Sequence, residues 1–244
     1  MVFNVANTVS TDFDDEDHGL SALRVCGKTF WADKSGALFW PDEGALIVAD
    51  LHLEKGSSFA ERGAFLPPYD TRSTLGRLRR VVEHFDPNIV VALGDSLHDA
   101  NAAERICDED LEIIHELQEH RTWYWVTGNH DPEIPEFLGG EVVSGLTLGG
   151  LSLRHEPFEG PVTHEIAGHL HPAAKVAMHG HAMRRPCFVS NGRRLVVPAF
   201  GAFTGGLNVM DDAFAPLFGG DGLYVWMLGH EGIYPVAARQ LKDD

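Results

Sequence analysis

Cysteine is scarce in this sequence: Cys26, Cys107 and Cys187 are the three present, widely spaced and without a Cys-x-x-Cys pair. An odd, scattered set makes neither a disulfide framework nor a thiolate zinc site, so each is expected to act as a small buried hydrophobe. Long apolar runs are also missing. Stretches such as Ala45–Ala49 and Ile89–Leu93 fall far short of the roughly 20 residues that cross a bilayer, so no membrane partner is expected. The N-terminus has no basic segment followed by an apolar one and runs instead through Asp12, Asp14, Asp15, Glu16 and Asp17, from which a cytoplasmic location is expected. Positive charge is the third shortage: 19 basic residues, only five of them lysine, face 36 acidic ones, for a formal charge of −17. Phosphate attraction over the whole surface is thereby excluded, and a nucleic-acid role requires a local site.

With 244 residues, 44% hydrophobic and 23% charged, the chain has the composition of a folded α/β protein able to bury a sizeable core. Residues 1–20 form an acidic segment expected to be flexible, and residues 21–244 are read as one domain. Leu23–Trp31 and Ala37–Trp40 flank the turn-like Asp33-Lys34-Ser35-Gly36 and predict a β-hairpin. Ala45–Ala49, Ile89–Leu93 and Trp123–Val126 have the length and apolar character of buried parallel strands. Between them, Tyr69–Phe85 and Ala102–His120 carry apolar residues at helical spacing, with Asp70 as the expected N-cap of the first. From Glu141 onward the pattern changes to short strands separated by glycine, a β-rich half that packs a second sheet on the first.

The chemistry lies where the apolar runs end. Ala49-Asp50-Leu51-His52, Leu93-Gly94-Asp95 and Thr127-Gly128-Asn129-His130-Asp131 follow the three strands in turn. In an open α/β sheet ligands bind beyond the carboxyl ends of the strands, so Asp50, His52, Asp95 and Asn129 should share one rim. Arg154-His155-Glu156-Pro157 and Gly168-His169-Leu170-His171-Pro172 add three imidazoles, and His169 and His171, two apart on an extended segment, should face the same way. His179-Gly180-His181 has the same spacing; the flanking Gly168 and Pro172 favour the 169/171 pair, although spacing alone does not choose. Three oxygen donors, four nitrogen donors and no sulfur suffice for two metal ions sharing a carboxylate. Such a mixture favours manganese, iron or zinc over calcium or a thiolate zinc site. His84, His115 and His120 are expected to be solvated or to sit at helix C-termini; His98, close after Gly94-Asp95, is expected to serve its loop, or else to stand behind the metal ligands. Arg184, Arg185, Arg193 and Arg194, the densest basic group, read as a solvated hairpin, or else as a grip on a nucleic-acid backbone.

Taken in order, Asp-x-His, Gly-Asp, Gly-Asn-His-Asp, His and Gly-His-x-His resemble the calcineurin-like metallophosphoesterases. Within them, Ala49–Gly56, Leu66–Thr71 and Pro198–Asn208 are similar to the bacterial ligase-associated DNA damage response endonucleases. The resemblance implies a sandwich of two mixed β-sheets flanked by helices. It implies one metal on Asp50, His52 and His171, a second on Asn129, His155 and His169, and Asp95 bridging, with manganese the expected ion. His130 is then the imidazole that contacts the phosphate and protonates the leaving group, oriented by Asp131. The implied activity is hydrolysis of phosphodiester bonds in single-stranded DNA during repair, in functional association with a ligase and a helicase. Two alternatives stand beside it: a phosphodiesterase of small cyclic or linear nucleotides, and a non-catalytic repair scaffold, against which the intact ligand set argues.

Overall fold

The computed structural model describes residues 19–64, 67, 69–178, 181–218 and 222–244. The acidic residues up to 18, Leu66 and Pro68 of the quoted motif, and His179 lie outside the described residues. The chain opens with β1 (Leu20–Val25), β2 (Lys28–Asp33), β3 (Leu38–Trp40) and β4 (Ala45–Val48), each antiparallel to the next. There follow α1 (Lys55–Glu61), α2 (Asp70–Phe85), β5 (Ile89–Leu93), α3 (Ala102–Arg105), α4 (Asp108–Gln118), β6 (Thr122–Val126) and β7 (Glu141–Val143). Strands β4 to β7 run parallel and complete a first sheet in sequence order.

The second sheet contains β8 (Leu146–Leu148), β9 (Leu151–Arg154), β10 (Glu165–Ala167), β11 (Pro172–Met178), β12 (His181–Ser190), β13 (Arg194–Val196) and β14 (Leu207–Asn208). After the short helix α5 (Ala215–Phe218), β15 (Tyr224–Leu228) joins β12 and β16 (Ile233–Ala237) joins β15. Strands β9, β10 and β13 are mutually parallel within an otherwise largely antiparallel sheet. The first sheet therefore owns a parallel quartet, β4-β5-β6-β7, and the second a parallel triplet, β9-β10-β13. The expected sandwich of two mixed sheets flanked by helices is the observed fold.

Burial follows from the strand period of two. Ala45, Ile47, Val91 and Leu93 face the second sheet and meet Leu153, Ile166, Phe188 and Leu195 in a central core. Leu46, Val48, Val90 and Ala92 face the other way, onto Leu75, Leu78 and Val82 of α2 and Ile114 and Leu117 of α4. Because both faces are covered, these strands are apolar at every position. A third cluster, with Cys187, Val189, Phe214 and Phe218, lies under α5 on the far side of the second sheet.

Several expectations are corrected. Leu23–Trp31 is two strands: Cys26 and Gly27, at φ 55° and 74°, form the two-residue turn between β1 and β2, and only the second turn, at Asp33–Gly36, was anticipated. The helix over Ala102–His120 breaks at Ile106 and Cys107, whose backbone is extended. The carbonyl of Cys107 accepts from Asp110 and Leu111 to start α4, with Asp108, Glu109 and Asp110 at its positive end. Asp70 is inside the first turn of α2 and not its cap; its carboxylate accepts from Gly56 N at 3.0 Å. Val142 and Val143 belong to the first sheet through β7. Of the cysteines only Cys187 is buried, Cys107 being exposed at the start of α4. Arg194 is not solvated: it is 0% exposed, with Nε 2.8 Å from Glu165 Oε2.

Candidate metal centre

The carboxyl ends of these two parallel sets of strands meet at one place. Asp50 and His52 follow β4, Asp95 follows β5, and Asn129 and His130 follow β6; His155 follows β9, and His169 and His171 follow β10. Backbone bonds lock the loops together: Asp50 N donates to Gly94 O at 3.1 Å, His52 N to Asp95 O at 2.9 Å, and Gly201 N, after β13, to Asp50 O at 3.0 Å. Five of these side chains leave left-handed backbone, Asp50, His52, Asp95, His169 and His171 having φ between 44° and 71°. Non-glycine residues seldom adopt this conformation, and its concentration at one rim marks stored strain of the kind that functional sites carry.

Two groups of donors result. Asp50, His52 and His171 bring ligand atoms within 4.8 Å of one another, and Asp95, His155 and His169 do the same. His52 Nε2 and His171 Nε2 are 3.3 Å apart, while His155 Nε2 lies 3.1 Å from His169 Nδ1 and 3.0 Å from Asn129 Oδ1. Asp95 sits between the groups, with Oδ2 3.9 Å from His52 Nε2 and Oδ1 3.4 Å from His155 Nε2. His169 and His171 thus reach different groups. They lie in a bend, and the expectation of an extended segment with both rings facing one way is corrected.

The donor set fits divalent cations. Asp50 and Asp95 are buried, and their ion pairs among the described residues are all with histidines, so no lysine or arginine neutralises them. Burial depresses His155, yet its hydrogen bond to Asp95 and the charges of Asp50 and Asp95 outweigh that and lift it to about 9. Burial raises the Asp95 carboxyl, but His155 dominates and holds it down at about 2. For His52, burial followed by the neighbouring His171 lowers the imidazole to about 2. A deep pair of carboxylates that recruits a proton in this way is an environment that calls for positive charge.

A cavity of about 220 Å3 opens over the donors, lined by His52, Lys55, Asp95, His98, Asn129, His130, His169, His171 and Gly205. His130 is exposed in it. Its backbone N donates to Asp95 Oδ1 at 2.9 Å, and its ring Nδ1 is 2.8 Å from the carbonyl of His98. Asp131, implied to orient His130, is fully buried and engaged elsewhere: its carboxylate accepts from the backbone N–H groups of Asp95, Ser96, Leu97 and Gly128 at 2.6 to 3.1 Å. The ring is held by the His98 carbonyl instead. Burial pushes the Asp131 carboxyl up to about 6, against the pull of those amides.

Two further residues line the cavity, of which Lys55 was not anticipated. Lys55 begins α1, three positions after His52, and burial lowers its ammonium. Of the two readings of His98 the one beside the ligands holds: its Nδ1 is 3.4 Å from His52 Nδ1 and its ring stacks on His130 at 5.5 Å. With His52 and His130 it makes a third cluster of ligand atoms within 4.8 Å. The spacing Gly-Asp-x-x-His was the available signal, since the turn after β5 brings the third residue beyond Asp95 back over the rim. His181 lies on β12 and does not line the cavity.

Residues 45–231 match the family model of the calcineurin-like phosphoesterases. Among solved structures, the nuclease MPE of Pseudomonas putida is similar with a TM-score of 0.69 at 28% identity, over 89% of this chain and 100% of that one. A phosphoesterase of E. coli, Yfce, gives 0.37 at 14% identity over 82% and 96% of the two chains. A protein of Aquifex aeolicus gives 0.37 at 19% identity over 52% and 78%. No curated protein sequence matches the chain.

Proposed function

Since this chain belongs to the calcineurin-like phosphoesterase family, which makes it a metal-dependent phosphoesterase, we propose that it is a two-metal endonuclease cutting single-stranded DNA. The observation that carries this reading is the pair of donor groups joined by Asp95, with a further imidazole, His130, facing the same cavity. Support for a nucleic-acid substrate comes from the Pseudomonas putida nuclease, whose whole length is covered. Asp50, His52 and His171 would hold one ion, Asn129, His155 and His169 the other, and Asp95 both, with manganese the expected metal. Two divalent ions so held would supply charge neutralisation at the phosphoryl oxygens and activation of the attacking water.

The protein's own side chains supply the rest. His130 Nδ1 faces a carbonyl, so it must carry a proton and donate it there. Nε2 is then the nitrogen directed to substrate, and in the imidazolium it holds the proton that a departing sugar oxygen needs, since an alkoxide leaves badly unprotonated. Asp131 keeps the loop after Asp95 in register with Gly128, which fixes where His130 starts. Lys55 places a cation on the cavity wall for a phosphate oxygen. The sequence resemblance adds repair, beside a ligase and a helicase, as the setting.

The net charge of −17 favours the second reading, a phosphodiesterase of small cyclic or linear nucleotides. Manganese-reconstituted enzyme tested on single-stranded DNA, duplex DNA and small phosphodiesters separates the two: cleavage inside a long single strand is expected, and activity confined to small esters would overturn the endonuclease. In the same assay Asp95→Ala should lose activity and both ions, because one carboxylate serves both. Near-normal metal stoichiometry by elemental analysis would refute the bridging assignment.

A further inference from the structure

A second cavity, of about 160 Å3, adjoins the first. The two share His171 and Gly205, and the second is lined further by Arg184 and Arg185 of β12 and by Thr204 and Gly206. Two arginines lining one cavity are notable in a chain with 19 basic residues against 36 acidic. Arg184 is positioned, its Nη2 donating to Gly206 O at 2.6 Å and its Nε lying 3.3 Å from Asp244 Oδ1. Among the described residues the Arg185 side chain forms no ion pair, and its hydrogen bond runs to the carbonyl of Arg184 at 3.4 Å.

Between the cavities runs the loop that follows β13. It is pinned at both ends: Phe200 N donates to Ala49 O at 2.8 Å, Gly201 N to Asp50 O, Ala202 N to Thr74 Oγ1 at 2.9 Å, and Leu207 N to His171 O at 3.0 Å. Within it Phe203 has φ 56° and is 51% exposed. A bulky residue in left-handed backbone costs energy, and burial does not explain an aromatic ring held out in water. Thr204 and Gly205, its neighbours in sequence, line the second cavity.

We propose that this loop and β12 form a subsite for the nucleotide flanking the scissile phosphate, with Phe203 stacking an unpaired base and Arg184 and Arg185 holding the adjoining phosphate. An exposed aromatic ring on a pinned loop, next in sequence to residues that line a cavity with two arginines, supplies the chemistry that binds single strands without reading sequence. It rejects a duplex because a paired base has both faces occupied by its neighbours. The inference rests on the endonuclease reading and names what selects the single strand.

The test compares kcat/KM on a single-stranded oligonucleotide with that on bis(4-nitrophenyl) phosphate, which has no flanking nucleotide. Phe203→Ala should lower the ratio about 5- to 150-fold, the range that loss of one base–aromatic stack gives, and Phe203→Trp should restore it. Arg184→Gln with Arg185→Gln should raise KM on the oligonucleotide and flatten its salt dependence. An abasic site at each position beside the cut, offered to the wild type, should reproduce the Phe203→Ala loss at one position and add nothing to the variant there. An unmoved ratio in folded Phe203→Ala and in the arginine double variant, with the wild type cutting single strands, would overturn the subsite alone. A wild type that cuts no long strand would overturn the endonuclease reading itself.

Discussion

His130 and Asp131 are neighbours in sequence with opposite surroundings, one exposed over the donors and the other sealed beneath them. His130→Ala should keep both ions and lose turnover in proportion to the demand of the leaving group. General acid catalysis is typically worth about 10² to 10⁴ in rate, so a loss of that order is expected on DNA and a smaller one on nitrophenyl esters. Equal losses on both would reduce His130 to phosphate binding. The histidine pairs provide a second prediction at this scale: His169→Ala and His171→Ala should each lose metal and activity, whereas His181→Ala, on the exposed start of β12, should keep both. Metal titration of the three variants checks this, and the opposite pattern would move the site. The residue types and their order were legible in the sequence because ligand chemistry depends on side-chain identity. Their left-handed backbones were not, because φ at Asp50 or His171 is imposed by bonds to loops far away in the chain.

At the scale of elements, glycine reveals which turns are crowded. A Cβ on Gly128 would come within 2.2 Å of Asp95 Oδ1 and 2.4 Å of its backbone N, whereas one on Gly76, inside α2, meets nothing within 4 Å. Gly128→Ala should therefore displace Asp95 and cost about 10²-fold in turnover, the order expected when a reacting group shifts by about an ångström. Gly76→Ala should raise stability by about 0.5 to 1 kcal/mol, measured by urea unfolding, with activity unchanged. Strand β5 has the bounds that its apolar run predicted. Of the longer predicted elements, Tyr69–Phe85 holds as α2, whereas Leu23–Trp31 and Ala102–His120 failed where a local backbone feature interrupts an unbroken pattern, at Cys26-Gly27 and at Ile106-Cys107.

The whole molecule depends on pairings that join distant segments, and Arg194 is the case with the largest energetic stake. Its side chain is buried beside Glu165, with Nη1 donating to Leu217 O at 3.2 Å and Nη2 to Phe158 O at 2.8 Å. Arg194→Leu strands a buried carboxylate and should cost about 3 to 5 kcal/mol in urea unfolding, while Arg194→Met with Glu165→Leu should recover much of that. A loss below about 1 kcal/mol would place the pair in water.

By itself the sequence determined the βαβ half, the seven candidate donors and the family resemblance, because apolar period and side-chain chemistry are local properties that can be read residue by residue. Only the tertiary structure decided that β9, β10 and β13 form a second parallel set, that His169 and His171 part to different donor groups, that His98 rather than Asp131 holds His130, and that Arg194 is buried while Arg184 and Arg185 line a cavity. Each of these depends on which strand edges pair and which loops then meet, and a strand as short as the three residues of β10 or β13 carries too little pattern to specify its neighbour.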